Sequence, residues 1–237
     1  MTATRTISSA LRPDLAVLPY EAGKAWHGAG DTAAAIERLG RARALAPGRA
    51  DIVNDLGNAL FDAGDLPAAA AAFTDAIEID AKFLEPWFNR ANSHRALGRL
   101  AEALVDYEAA LTIQPEHAEV RWNRALTHLL AGDWAAGFAD YNWRWRRSGG
   151  SELPAPGLPR WDGVTTVDRH ILIASEQGYG DTLQFARYLP IVAARAGKVT
   201  FSCPVPLAGL MAEAFPGIEV TSAVPDRIQA DCAAALL

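Results

Sequence analysis

The chain has 237 residues, half of them hydrophobic, with 22 basic and 28 acidic side chains and a net charge of −6. That is ample apolar material for a core, yet no apolar run approaches the ~20 residues of a membrane span. The charge divides evenly, 16 basic against 19 acidic residues in 1–150 and 6 against 9 in 151–237, so neither part carries the basic surplus that nucleic-acid binding requires. Residues 1–15 read as an N-terminal tail. Met1 to Arg12 holds Ser, Thr and Arg without the apolar stretch of a secretory leader, although its lack of acids also fits a transit peptide. The expected location is the cytoplasm.

From residue 16 a repeat takes over. Gly30, Gly64, Gly98 and Gly132 are each 34 residues apart, in the settings Ala29-Gly-Asp31, Ala63-Gly-Asp65, Leu97-Gly-Arg99 and Ala131-Gly-Asp133. With units at 16–49, 50–83, 84–117 and 118–151, the eighth position is small (Gly23, Gly57, Ala91, Ala125), as is the twentieth (Ala35, Ala69, Ala103, Gly137). The twenty-fourth is large: Leu39, Phe73, Tyr107, Tyr141. Small residues let two helices approach and the large one fills the remaining space. The glycine ends the first helix of each pair at positive φ, and the following Asp caps the second. Pro47 and Pro115 punctuate the exits of units one and three. The expectation is a mainly α chain whose residues 16–150 form an α-solenoid of four helix pairs. These columns resemble the tetratricopeptide repeat (TPR). In the fourth unit Arg144 replaces an expected alanine, and regular stacking should stop there.

A solenoid exposes a long groove, so this part is expected to hold a protein or peptide. Asn58 and Asn92 share the ninth position, and Asn89 and Asn123 the sixth. An amide both donates and accepts, which suits the backbone of an extended peptide; the same amides also fit a role bridging adjacent helices. His94 and His128 occupy a column filled elsewhere by Trp26 and Leu60, which favours packing over metal ligation, and no metal is expected. Trp134, Trp143 and Trp145 crowd into twelve residues, more than a capping helix needs, which suggests docking of the next domain. Arg144, Arg146 and Arg147 read as complements to a helix C-terminus.

Residues 151–164 read as a linker, with three prolines between Leu153 and Pro159. From 165 the period changes. His170–Ala174 reads as a buried strand, Thr182 to about Ala196 as a helix, Lys198–Ser202 as a strand, Pro206–Phe215 as a helix, Ile218–Thr221 as a strand and Asp231–Leu237 as a fourth. Strands alternating with helices imply a parallel α/β sheet, with ligands at the carboxyl ends of the strands. The loop after the first strand, Glu176-Gln-Gly-Tyr-Gly-Asp181, has Gly178 and Gly180 for a tight turn and close backbone approach, and a helix N-terminus follows it. It lacks a third glycine, and no acid ends the second strand, so dinucleotide binding fits poorly. Cys203 and Cys232 have no motif spacing and read as buried thiols.

The run Glu176 to Pro190, preceded by Trp161-Asp-Gly163 and by Gly132-Asp-Trp134 and Tyr141-Asn-Trp-Arg-Trp145, looks like bacterial repeat proteins with a C-terminal glycosyltransferase domain. That domain is similar to the heptosyltransferases, and its architecture of repeats before two Rossmann-like halves is similar to that of the O-linked N-acetylglucosamine transferases. The resemblance implies that 165–237 is one partial Rossmann-like half of a two-half fold. It makes Asp181 the base that deprotonates the acceptor hydroxyl, with Glu176 lining the same cleft. The asparagine columns resemble those lining the repeats of the N-acetylglucosamine transferases. The half that supplies most donor contacts would lie beyond Leu237, so residues 1–237 alone should bind no cofactor and transfer no sugar, the nucleotide-sugar donor belonging to a longer parent. Two alternatives stand beside this. Asp181-x-x-Gln184 also fits a capping box, and the whole chain also fits a non-catalytic scaffold with a vestigial α/β appendage. Its oligomeric state is not expressed in the sequence.

Overall fold

The computed structural model describes residues 13–148, 155, 157–176 and 178–236. Most of the expected tail, residues 149 and 150 at the end of the expected solenoid, residues 151–154 and 156 of the expected linker, Gln177 of the loop and Leu237 lie outside the described residues. The chain divides into two compact units, Met1–Ser148 and Gly149–Leu237.

The first unit consists of α1 (Pro13–Gly28), α2 (Thr32–Leu45), α3 (Ala50–Asp62), α4 (Leu66–Ile79), α5 (Leu84–Ala96), α6 (Leu100–Ile113), α7 (Ala118–Leu130) and α8 (Trp134–Tyr141). Each odd helix packs on the even one after it, and each even helix on the next odd one; α1, α3, α5 and α7 also touch in series and so line one face. The turns repeat in atomic detail. Gly30, Gly64, Gly98 and Gly132 take φ of +83°, +84°, +76° and +82°. In the first turn Gly30 N–H donates to His27 O at 2.9 Å and Asp31 N–H to Trp26 O at 3.0 Å, the paired bonds of a Schellman motif, and the other three turns reproduce both. The small columns hold because nothing larger fits. A Cβ on Gly57 would lie 2.5 Å from Phe73 Cε1, and one on Gly23 would lie 2.6 Å from Leu39 Cγ.

Asp31, Asp65 and Asp133 each cap the following helix by accepting from the N–H three residues on, at 3.0–3.1 Å. The third turn has Arg99 at that place, in nearly the same backbone conformation, without a side-chain cap. Arg99→Asp should therefore stabilise the protein by about 0.5–1.5 kcal/mol, read as a raised urea midpoint at unchanged slope. A midpoint that stays put or falls would show that capping does not limit α6.

Regular stacking ends in the fourth pair. α8 has eight residues against fourteen in α4 and α6, and a 3₁₀ turn, Asn142–Arg146, follows it. Buried Arg144 lies over the Tyr141 and Trp145 rings at 4.5 and 4.2 Å and donates to Tyr141 O at 3.2 Å. Arg146 and Arg121 stack on Trp143, and Arg147 on Trp122. Arg144 thus serves a helix C-terminus as expected from the sequence, whereas Arg146 lies over a ring face and Arg147 over Trp122 while pairing with Glu119 at 2.9 Å.

The second unit is a four-stranded, wholly parallel sheet in the order β3-β2-β1-β4, with β1 Thr166–Ser175, β2 Ala196–Ser202, β3 Glu219–Thr221 and β4 Cys232–Leu236. Helices α9 (Tyr179–Ala186), α10 (Leu189–Ala193) and α11 (Val205–Ala214) connect the strands. Its core gathers Ile171, Ile173, Leu189, Val199, Phe201 and Met211. Both cysteines are buried there and free. Two sequence expectations need correction. The single helix to Ala196 is broken at Arg187–Tyr188, because Pro190 cannot donate an N–H back into the helix and its ring would clash. β1 begins four residues before the apolar run at His170. A bulge lies between Thr166 and His170, and opposite it a Cβ on Gly197 would meet Val167 O at 2.3 Å. Part of the segment read as linker packs on the sheet: Ala233 N–H donates to Pro159 O and Trp161 N–H to Ala233 O, along β4.

Candidate functional site

Two places in the fold collect the residues singled out by sequence. The first is on the odd-helix face. Asn89 on α5 reaches to α3, its Nδ2 donating to Asn54 Oδ1 and Asn58 Oδ1, both at 3.0 Å. Asn92, one turn further, accepts from the Tyr107 hydroxyl at 2.7 Å. Asn58, Asn89 and Asn92 line one cavity of about 210 Å³ together with His27, Phe61, Asp62 and Phe73. Its rim holds the His27 Nε2···Asp62 Oδ2 contact of 2.7 Å. Asn123 is not part of it. Its Nδ2 donates to Glu119 O at 2.8 Å on its own helix and its Oδ1 accepts from Arg95 at 3.3 Å.

Adjacent odd helices are joined by a rule with an offset of 35 residues, one repeat plus one: Tyr20–Asp55, His27–Asp62 and Asn54–Asn89. None of these partners is visible from the 34-residue columns alone; the signal is the diagonal between neighbouring columns. Two buried ion pairs behind the face, by contrast, do recur in the 34-residue columns. Arg90 grips Asp106 with Nε at 2.8 Å and a terminal nitrogen at 2.6 Å, and Arg124 Nε meets Asp140 at 2.7 Å. Arg90 and Arg124 stand 34 apart, as do Asp106 and Asp140. His94 lies 3.8 Å from Asp106 and His128 lies 3.5 Å from Asp133. Among the described residues no three His, Cys, Asp or Glu side chains gather to hold a metal. A larger recess of about 490 Å³ opens near Gly48, Ile79 and Phe83, but its Arg49 and Asp51 already pair with each other. That pairing is the main cause holding the Asp51 carboxyl below its ordinary pKa.

The second place is the loop after β1. The strand order reverses between β1 and β4, and such a switch point opens a crevice at the carboxyl ends of the strands. Glu176 is half-buried there, and Gly178, Gly180 and Asp181 are exposed. The capping box expected at Asp181 is absent. Helix α9 starts at Tyr179 with Gly178 as its N-cap, and Asp181 sits inside the first turn. Neither loop glycine takes a positive φ. Gly178 is extended at φ −64°, ψ 179°, Gly180 is helical, and a Cβ on either would meet nothing within 4 Å. What remains is a helix start whose first N–H groups have no helical partner, with an exposed Asp181 in its first turn. No helix among the described residues is long and apolar enough to cross a membrane.

Models of the tetratricopeptide repeat match residues 27–89 and 85–117. No curated protein matches the chain. Among solved structures, MamA superposes with a TM-score of 0.53 at 21% identity, over 55% of this chain and 77% of that one. The first TPR domain of Spaghetti (RPAP3), bound to the HSP90 peptide SRMEEVD, gives 0.50 at 19% identity, over 52% of this chain and 97% of that one. A tetratricopeptide repeat protein from Parabacteroides merdae gives 0.51 at 24%, over 56% and 53%. At these identities the likeness is one of fold. The helix pairs within residues 27–117 match tetratricopeptide repeats.

Proposed function

We propose that the repeats hold an extended segment of a partner protein along α1, α3, α5 and α7. The observation that carries this reading is the amide-lined cavity on that face, where Asn58, Asn89 and Asn92 meet. A structural relative that shares the fold holds a peptide, which fits the same use. The test is a peptide selected from a random display library against the full chain. Asn58→Ala and Asn92→Ala should each weaken it by about 0.5–1.5 kcal/mol, the scale of one hydrogen bond, while Asn123→Ala, whose amide serves its own helix, should do less. An affinity indifferent to Asn58 and Asn92 removes the amides from the groove.

The α/β unit supports a second reading, that of the front half of a sugar transferase whose repeats select the protein acceptor. Its observation is Asp181, exposed at a switch-point helix start and without a capping role. In this reading Asp181 takes the proton of the acceptor hydroxyl as the oxygen attacks the sugar, and Glu176, Gly178 and Gly180 border the acceptor. The nucleotide leaves from a donor site outside these residues, so the present residues alone should transfer nothing. Without such an activity the protein is a peptide-binding scaffold.

A further inference from the structure

The amides of the cavity have a fixed polarity, and it originates at Asp55. A carboxylate only accepts. Asp55 accepts from the Tyr20 hydroxyl at 2.8 Å and from Asn54 Nδ2 at 3.4 Å. Burial first, and then the bond to Asp55, raise the pKa of the Tyr20 phenol, which therefore keeps its proton to donate. With its Nδ2 turned to Asp55, Asn54 offers Asn89 its Oδ1. Asn89 spends both amide hydrogens, one there and one on Asn58 Oδ1. Asn58 is left with its Nδ2, and Asn89 with its Oδ1. On the other side the Tyr107 hydroxyl occupies Asn92 Oδ1, leaving Asn92 Nδ2. Three amides thus retain two NH₂ donors and one carbonyl acceptor, beside an Asp62 carboxylate whose Oδ2 alone is engaged by His27.

We propose that this cavity accepts the primary carboxamide of a glutamine or asparagine side chain. The proposal rests on the reading that a peptide lies in the groove, and names which of its side chains is read. At about 210 Å³ the space is smaller than the ~300–1,000 Å³ of small-molecule sites, and suits a single side chain. A carboxylate would satisfy the two NH₂ groups but face Asp62 and the Asn89 carbonyl. An ammonium would satisfy those acceptors and leave both NH₂ groups unbonded. A carboxamide supplies an oxygen to the donors and N–H groups to the acceptors, without net charge. Phe61 and Phe73 line the same cavity and offer apolar wall to the methylenes.

The test uses the full chain and short fluorescein-labelled peptides of alternating alanine and serine, with Gln, Asn, Glu, Lys or Leu at the centre. The Gln or Asn peptide should bind about tenfold more tightly than the other three, as expected when a mismatched ligand leaves one polar group unpaired. Asn92→Asp keeps the acceptor for Tyr107 and removes the donor, so it should erase that preference. A melting temperature close to that of the native chain shows that the variant is folded; if it is not, Asn58→Asp, which keeps the acceptor for Asn89, replaces it. Equal binding of all five peptides overturns the carboxamide site while the groove reading stands. If no peptide binds but N-acetylglutaminamide moves the side-chain NH₂ resonances of Asn58 and Asn92, the site is upheld and the groove reading falls. Silence in both assays overturns both.

Discussion

Asp106→Ala is expected to cost about 3–5 kcal/mol of stability, because it leaves the Arg90 guanidinium largely buried without its counter-charge. Asp106 is 3% exposed and accepts two hydrogen bonds from Arg90, whose third nitrogen is held by Thr74 Oγ1 at 3.0 Å. A buried pair is costly to break and far less costly to replace. The second repeat shows the replacement: Leu56 and Ala72 stand where Arg90 and Asp106 stand in the third, both buried. Arg90→Leu with Asp106→Ala should therefore recover most of the loss. Urea denaturation of the three proteins decides it. A single variant that loses under about 1 kcal/mol, or a double variant no better than the single, contradicts this account of the ion pair.

Asp181→Asn is expected to lower sugar transfer about a hundredfold or more in a gene product that carries this unit and is active, the scale of a positioned base. The structure makes the substitution cleaner than sequence suggests. With Gly178 as the N-cap of α9, Asp181 holds no capping bond, so its loss costs stability only through the helix dipole, about 0.3–1 kcal/mol. The rate should fall with the melting temperature nearly unchanged. Full activity with Asn at 181 ends the role of Asp181 as the base.

The helix pairs are legible because their signal is periodic. One glycine at positive φ recurs every 34 residues in all four turns, and a capping acid follows it in three of them. The α/β unit is legible where strands are buried on two faces, as in Ile171–Ala174. It is not legible at Thr166–Arg169, where the strand is mostly exposed and carries a bulge, so no apolar run marks it. α9 hides for a related reason. Gly178 and Gly180 look like turn residues, yet one caps the helix and the other lies within it, and nothing in Gly-Tyr-Gly distinguishes these roles. At the amide cavity the sequence shows Asn58, Asn89 and Asn92 but not Asn54, Asp55 or His27, because their pairing runs one residue off the repeat. Asn123 shares a column with Asn89 and yet bonds to its own helix. Its column neighbours offer Phe88, not an amide, at the diagonal place.

The most direct measurement is where a bound peptide lands. With the full chain labelled with ¹⁵N and a library-selected peptide added, the side-chain amide resonances of Asn58, Asn89 and Asn92 should shift together with backbone signals of α3 and α5, while those of α2, α4 and α6 stay in place. Shifts confined to the even helices, or to residues 165–236, with the three amides unmoved, would contradict a groove on the odd-helix face.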